Sequence, residues 1–222
     1  MTKKKELRDL LIGIIGVFIG LLVEIFLGTG IVQSFPQPFK AISVIILYWL
    51  IALVPLCIIF LNKEKLKDYI LGQGKVYSQI LTGIVLAIGM SLVFTFIPHL
   101  LGFGEYVEAE KRYTEIWQFA YEFTYCILSV GAVEELVFRG FIYERIKRIS
   151  SKEIIAVMDS SVLFGAFHFM TGNIVQIFIT ALLGMFFCFC RIKIKNCSLL
   201  SLMIAHGIYD AMITVWASLL LR

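Results

Sequence analysis

Long apolar runs alternate with short polar segments along all 222 residues of the chain. Each run has about 17 to 25 residues, which is enough for an α-helix to cross the hydrocarbon core of a bilayer. The pattern therefore predicts an all-α fold, a polytopic membrane helix bundle of about seven transmembrane helices. The predicted spans are residues 10–32, 41–61, 77–99, 117–140, 154–170, 174–191 and 198–220.

The basic residues predict how these spans are oriented. Lys and Arg accumulate in cytoplasmic loops, and a cytoplasmic N-terminus places sixteen of the 20 basic residues on that side. They are Lys3, Lys4, Lys5, Arg8, Lys63, Lys65, Lys67, Lys75, Arg139, Arg145, Lys147, Arg148, Lys152, Arg191, Lys193 and Lys195. We therefore expect a cytoplasmic N-terminus, and we expect the basic clusters outside the spans to be solvated charges that orient the protein.

The composition supports a membrane location and excludes other classes of protein. Hydrophobic residues make up 59% of the chain and charged residues only 16%, which is unlike a soluble domain. Basic residues beside membrane spans attract anionic lipid head groups, so the net charge of +4 indicates the lipid bilayer, and no nucleic acid, as a partner. We expect a multi-pass protein of the cell membrane, with residues 1–222 forming a single transmembrane domain.

Ionisable residues inside the predicted spans are the candidates for function, because each costs several kcal/mol in lipid unless it faces a cavity or a partner. They are Glu24, Glu134, Glu135, Arg139, Asp159, His168, His206 and Asp210. Glu24 and Asp159 are expected to make supporting polar contacts and have no assigned role. Glu122 lies near the outer end of the fourth span and is expected to reach water.

Depth in the membrane indicates which of these side chains can meet. With a rise of about 1.5 Å per residue, Glu134 and His206 lie about 16 Å from the cytoplasmic surface, and His168 and Asp210 about 22 Å. The middle of a hydrocarbon core lies at about 15 Å. Carboxylates and imidazoles from three helices thus occupy one layer of the membrane, and we infer a shared functional site.

Helical spacing separates the tasks of the two adjacent glutamates. Glu135 and Arg139 are four residues apart and share one helix face, so they are expected to pair. Glu134 points about 100° away and is expected to face a cavity, where a carboxylate can take and return a proton.

The two histidines can complete a hydrolytic site with Asp210 in either of two ways. Imidazoles can bind a metal ion that activates water. They can also hold the water and stabilise the oxyanion as hydrogen-bond donors. The spacing favours neither.

Three short motifs resemble those of a known family. Residues 134–139 (EELVFR) resemble an EExxxR motif, residues 164–168 (FGAFH) an FxxxH motif, and residues 206–210 (HGIYD) an HxxxN/D motif. These motifs are typical of the CAAX protease and bacteriocin-processing (CPBP) family, which includes Ras-converting CAAX endopeptidases and bacterial Abi proteins. The resemblance covers a catalytic core of about residues 115–215.

The resemblance implies an intramembrane protease that opens to the cytoplasm. Glu134 is expected to activate water with His168 as its partner, His206 and Asp210 to complete the site, and Glu135 with Arg139 to support it. The family implies Zn²⁺ as a candidate cofactor, with Glu134, His168, His206 and Asp210 as candidate ligands, or a metal-independent glutamate mechanism. An ionised Asp donates no hydrogen bond, so Asp210, in place of the commoner Asn, favours a ligand or proton-sharing role.

The expected substrate is a peptide or small protein cleaved near the membrane, either prenylated or a leader peptide. Two other classes of function stay open. A proton- or metal-coupled transporter predicts inverted repeats and broken helices, which the hydrophobic pattern does not show. A non-catalytic membrane scaffold or bacteriocin self-immunity protein predicts eroded motifs, whereas all three motifs are intact.

Overall fold

The structure, a computed structural model, describes residues 2–103, 111–170 and 174–220, and within these ranges every regular element is helical. The α-helices are α1 (Lys3–Gly30), α2 (Phe39–Tyr48), α3 (Leu50–Leu61), α4 (Leu66–Ile70), α5 (Val76–Ser91), α6 (Ile97–Leu100), α7 (Ile116–Tyr125), α8 (Ala132–Glu135), α9 (Tyr143–Ser150), α10 (Glu153–Phe167), α11 (Ile174–Lys193) and α12 (Leu199–Leu220). Segments Leu92–Phe96, Cys126–Gly131 and Leu136–Ile142 are π-helical, and segments Val32–Ser34 and His168–Met170 are 3₁₀-helical.

Most of the predicted spans coincide with these helices. Among the described residues, five helical segments are long and apolar enough to cross a membrane: Lys3–Ser34, Val76–Leu100, Glu153–Met170, Ile174–Lys193 and Leu199–Leu219. The pair α2 and α3 makes a sixth if it counts as one span. The prediction of an all-α, polytopic membrane helix bundle is confirmed, while the count of seven spans and the cytoplasmic N-terminus stay predictions.

The predicted second span, residues 41–61, is broken rather than straight. Its two halves, α2 and α3, meet at Trp49 with a bend of 45°. Pro55 lies inside α3, after the break, and its missing N–H leaves the Ile51 carbonyl without its usual helical donor. The break places Tyr48, the last residue of α2, at the side of the neighbouring helix that carries the first motif.

That neighbouring helix is longer than predicted. Residues 116–150 are helical without interruption through α7, α8, α9 and two π-helical segments, and we call them the long helix. It begins at a capping box between Glu115 and Gln118 and ends where Ser151 adopts a left-handed φ of 58°. The predicted span ended at residue 140, because the amphipathic last turns lack the apolar character of a span.

Helix α12 is the centre of the bundle. Its most apolar stretch is 56% buried, against 28–33% for the other candidate spans. It packs on α5 and on the long helix, and its contact with the long helix depends on glycine. A Cβ at Gly207 would lie 2.5 Å from the Cys126 carbonyl oxygen, and one at Gly131 would lie 2.5 Å from the Met203 carbonyl oxygen. The two backbones therefore touch, which places the third motif beside the first.

A buried ion-pair cluster holds the predicted cytoplasmic end together. Arg145 has no exposed side-chain surface and donates hydrogen bonds to Glu6 at 2.6 Å and Glu64 at 2.7 Å. Tyr69 donates to Glu64 as well, and burial together with this hydrogen bond raises the pKa of Tyr69 to about 12. The prediction that the basic clusters are solvated is wrong for Arg145, because carboxylates from two other segments replace water around it.

Glu122 does not reach water as predicted. Its residue surface is only 4% exposed, and its carboxylate accepts hydrogen bonds from Lys111 Nζ at 2.9 Å and from Tyr113 Oη at 2.8 Å. The prediction is wrong because Lys111, which lies outside the helix, reaches in and neutralises the charge.

Candidate active site

Glu134 and Glu135 lie at the end of α8, the short α-helical turn between two π-helical segments of the long helix. Such π-helical insertions are frequent at functional sites. The two residues are 2% and 0% exposed. Glu134 bonds Tyr48 and Glu135 bonds Arg139, and both carboxylates also face the His206 ring, with oxygens 3.8 Å from Nε2 and 2.8 Å from Nδ1.

Glu135 joins the first motif to the third. Its Oε1 accepts a hydrogen bond from Arg139 Nη1 at 3.1 Å and lies 2.8 Å from His206 Nδ1. The expected pair of Glu135 and Arg139 is therefore present. The Arg139 guanidinium also lies 4.1 Å from the ring centroid of Phe164 and 5.3 Å from that of Phe187, close enough for cation–π attraction.

Glu134 has one engaged oxygen and one free oxygen. Its Oε1 accepts a hydrogen bond from the Tyr48 hydroxyl. Its Oε2 is buried without a hydrogen-bond partner in the described part of the chain and lies 3.8 Å from His206 Nε2. A separation of 3.8 Å is too long for a direct hydrogen bond.

Asp210 faces the same imidazole nitrogen. Its Oδ2 lies 3.3 Å from His206 Nε2, and its side chain is 28% exposed, more than those of Glu134, Glu135 and His206. Both nitrogens of His206 thus face carboxylate oxygens, and the ring can donate to both sides only when doubly protonated. The proton-sharing role of Asp210 stays a prediction.

His168 stands apart from the other predicted site residues. It follows α10, and its Nδ1 lies 2.9 Å from the Phe164 carbonyl oxygen. The Phe164 ring packs edge-on against both imidazoles, with centroid distances of 4.9 Å to His168 and 6.0 Å to His206. Among the described residues, no hydrogen bond joins His168 to Glu134. His168 instead contacts the Phe164 ring, which also contacts His206.

The arrangement does not fit a closed zinc site. Within residues 2–103, 111–170 and 174–220, no group of three or more His, Cys, Asp and Glu side chains is placed to hold a metal ion. Structural zinc sites use four protein ligands and catalytic ones three, and the described residues do not bring such a set together.

Tyr48 is a site residue that the motifs did not reveal. It lies outside the region of the motifs, and its only signal in the sequence is a polar aromatic residue inside the second span. Of the residues without an assigned role, Glu24 is half-buried on α1 and Asp159 is exposed on α10. Neither makes a hydrogen bond or ion pair with Glu134, His206 or Asp210 among the described residues.

Comparison with known proteins supports the resemblance seen in the motifs. Residues 116–212 match a family model described as "Rce1-like: Type II CAAX prenyl endopeptidase Rce1-like". The matched region begins at the first residue of the long helix and includes all three motifs. No curated protein and no solved structure matches the chain.

Proposed function

We propose that this chain, whose residues 116–212 match the family model of Rce1-like CAAX prenyl endopeptidases, is an intramembrane endopeptidase that cleaves a peptide bond near the membrane. The observation that carries the proposal is the free Oε2 of Glu134, a buried carboxylate oxygen 3.8 Å from His206 Nε2. A buried acceptor facing an imidazole is suited to hold and deprotonate a water molecule.

The proposed reaction is a general-base hydrolysis. Glu134 takes a proton from water while the water oxygen bonds to the carbonyl carbon of the substrate. His206 donates a hydrogen bond from Nε2 to the oxygen that becomes negative, which lowers the energy of the tetrahedral intermediate. The C–N bond then breaks, and Glu134 returns its proton to the amine that leaves.

Glu135, Arg139 and Asp210 hold His206 in place, and His168 has a separate task. Glu135 fixes the ring through Nδ1, and Arg139 balances the charge of Glu135. Asp210 accepts from Nε2 in the resting site and lies at its more open side. His168 contacts the Phe164 carbonyl through Nδ1. We assign its other ring nitrogen, Nε2, a hydrogen bond with an oxygen of the substrate or of water.

The proposed substrate is a peptide or small protein with an apolar anchor, either a prenyl group or a hydrophobic leader. A groove of about 540 Å³ lies between α5 and α11, and its lining includes Met90, Phe94 and Phe186. Phe94 also packs edge-on against Tyr209, the neighbour of Asp210, with ring centroids 6.5 Å apart. We therefore assign the apolar anchor of the substrate to this groove.

Cleavage by the purified protein in liposomes tests the proposal. The substrates are a panel of prenylated CAAX peptides and hydrophobic leader peptides, and the variants are Glu134→Gln and His206→Ala. We expect each substitution to lower turnover by about 10²- to 10⁴-fold, the usual contribution of an acid–base group. Glu144→Gln is the matched control, because Glu144 is a glutamate of the same helix that pairs with Arg191 at 2.9 Å, outside the site.

The same assay with a chelator, and with zinc restored, tests the metal. Because the described site residues do not form a set of three ligands, we expect turnover to continue in the chelator. Loss of turnover that zinc restores would contradict the metal-free form of the proposal. Turnover that survives both site substitutions, or folded protein that cleaves no peptide of the panel, would instead favour the non-catalytic scaffold or self-immunity protein.

A further inference from the structure

The partner of Glu134 comes from the half of the chain that carries none of the three motifs. The Tyr48 hydroxyl donates a hydrogen bond to Glu134 Oε1 across a sequence separation of 86 residues. Tyr48 lies outside residues 116–212, the region that matches the family model. The contact therefore belongs to the tertiary arrangement of this chain, and the motifs alone do not imply it.

Several side chains fix helix α2 against the long helix around this contact. Trp49 Nε1 donates to the Leu128 carbonyl at 3.1 Å, and Ser129 Oγ donates to the Ile45 carbonyl at 3.2 Å. Leu128 and Ser129 belong to the π-helical segment Cys126–Gly131, which directly precedes α8. The break in the second span and the π-helical segment thus meet one turn before Glu134.

The Tyr48 ring is also held by aromatic neighbours. The Tyr125 ring packs edge-on against it, with centroids 6.1 Å apart and planes at 81°. Tyr125 in turn stacks on Tyr121, with centroids 6.2 Å apart. The hydrogen bonds beside Tyr48 and the packing of Tyr125 leave the Tyr48 ring little freedom to turn. Its hydroxyl is therefore a hydrogen-bond donor in a fixed position relative to Glu134.

A fixed donor determines which oxygen of Glu134 meets the water. The two oxygens of a carboxylate are chemically equivalent, and rotation about the last side-chain bond exchanges them. The hydrogen bond from Tyr48 occupies Oε1 and leaves Oε2 towards His206 Nε2. Without that bond, the carboxylate would rotate and the free oxygen would spend less time facing His206.

We propose that Tyr48 is a positioning residue of the active site, which holds Glu134 so that its free oxygen faces the water and His206. This inference rests on the proposed function, because it assigns Tyr48 a role in the same hydrolysis. Small errors in the placement of a reacting group are costly, since the productive geometry must be held within about 0.5 Å. Tyr48 acts through Glu134 and is not assigned a contact with the substrate.

Steady-state kinetics of Tyr48→Phe separate this role from a structural one. The substitution removes one oxygen atom and keeps the ring, so we expect kcat to fall by about tenfold or more with KM nearly unchanged. Tyr121→Phe is the matched control, because Tyr121 donates to the Ala41 carbonyl at 3.4 Å and bonds the same helix α2 without touching Glu134. Equal losses of kcat in the two variants, or a change confined to KM, would overturn the proposal.

Infrared spectroscopy tests the contact without any turnover. The carboxyl band of Glu134 is identified by its loss in Glu134→Gln, and we expect it to shift in Tyr48→Phe but not in Tyr121→Phe. A band that stays in place in Tyr48→Phe overturns the positioning role even if the protein is an active protease. A shifted band in a protein that cleaves nothing supports the contact and counts against the proposed function instead.

A second substitution covers the case in which Tyr48→Phe does not fold. Fluorotyrosine at position 48 keeps both the ring and the hydroxyl, and its more acidic phenol is a stronger hydrogen-bond donor. We expect it to shift the Glu134 band away from its wild-type position, in the direction of a stronger hydrogen bond. The absence of any shift with fluorotyrosine would overturn the proposal on its own.

Discussion

Nδ1 of His206 lies 2.8 Å from Oε1 of Glu135. The same oxygen accepts a hydrogen bond from Arg139. One buried carboxylate oxygen therefore contacts both a guanidinium of its own helix and an imidazole of α12. Glu135 and His206 are 71 residues apart in the chain, and their contact connects the first and third motifs. It orients the imidazole so that the other ring nitrogen faces Glu134 and Asp210.

Glu135→Gln is expected to destabilise the fold as well as the site. Arg139 is fully buried, its Nε and Nη2 have no hydrogen-bond partner among the described residues, and Glu135 is the carboxylate paired with it. Removing one partner of a buried ion pair costs about 3–5 kcal/mol. We expect a lower midpoint of thermal unfolding in detergent.

The control for this prediction is Glu144→Gln. Its pair with Arg191 is 20–25% exposed, so its loss should cost less than the loss of a fully buried pair. Equal unfolding midpoints for the two variants would contradict the structural role of Glu135.

Gly207→Ala is expected to separate α12 from the long helix. The added Cβ would lie 2.5 Å from both the Cys126 carbonyl oxygen and Ile127 Cα, and backbone atoms cannot turn aside as a side chain can. Overpacking of this kind costs about 1–3 kcal/mol. We expect a lower unfolding midpoint, together with a loss of cleavage as His206 moves away from Glu135.

Gly89→Ala is the matched substitution on α5, where a Cβ would meet nothing within 4 Å. Alanine is favoured over glycine inside a helix by up to about 1 kcal/mol, so this variant should be as stable as the wild type or more stable. If Gly207→Ala is as stable as Gly89→Ala, the close contact between α12 and the long helix is wrong.

Arg145→Met is expected to loosen the predicted cytoplasmic end of the bundle. It removes the buried partner of Glu6 and Glu64 and leaves them only Arg148, which is 40% exposed and lies 3.5–3.6 Å away. The expected cost is therefore below the value of about 3–5 kcal/mol for a buried charge left without a partner. Proteolysis of the loop after α3 and the midpoint of thermal unfolding measure this effect.

Lys147→Met serves as the comparison for Arg145. Lys147 pairs with Glu153, and both side chains are 44% exposed, so its loss should change the midpoint little. An Arg145→Met variant as stable as Lys147→Met would show that the buried cluster contributes nothing to the fold.

Much of the site could be predicted from the sequence because a helix converts sequence distance into distance along one axis. The rise per residue placed Glu134, His206 and Asp210 in one layer. In the structure, the carboxylates of Glu134 and Asp210 lie 3.8 and 3.3 Å from His206 Nε2. The spacing of four residues predicted the pair of Glu135 and Arg139, which is present. The apolar runs predicted the helices to within a few residues at most of their ends.

The rest depended on how the helices face one another, which spacing along a single helix does not determine. His168 packs on Phe164 rather than on Glu134. Glu122 and Arg145 were predicted to be solvated, and both are buried because other segments of the chain supply their partners, the loop before the long helix for Glu122 and helix α1 with the loop after α3 for Arg145. A buried charge is stabilised by the groups around it, and the spacing of residues along one helix does not predict those groups.

The sequence by itself determined that the chain forms apolar helices, that ionisable side chains lie deep within them, and which three motifs carry those side chains. These are properties of single segments, set by hydrophobicity and helical periodicity. Only the tertiary structure decided that Tyr48 bonds Glu134 and that His206 stands between Glu135, Glu134 and Asp210. The physical reason is that the rotation of each helix and the break in the second span follow from packing between helices, through close contacts such as that at Gly207.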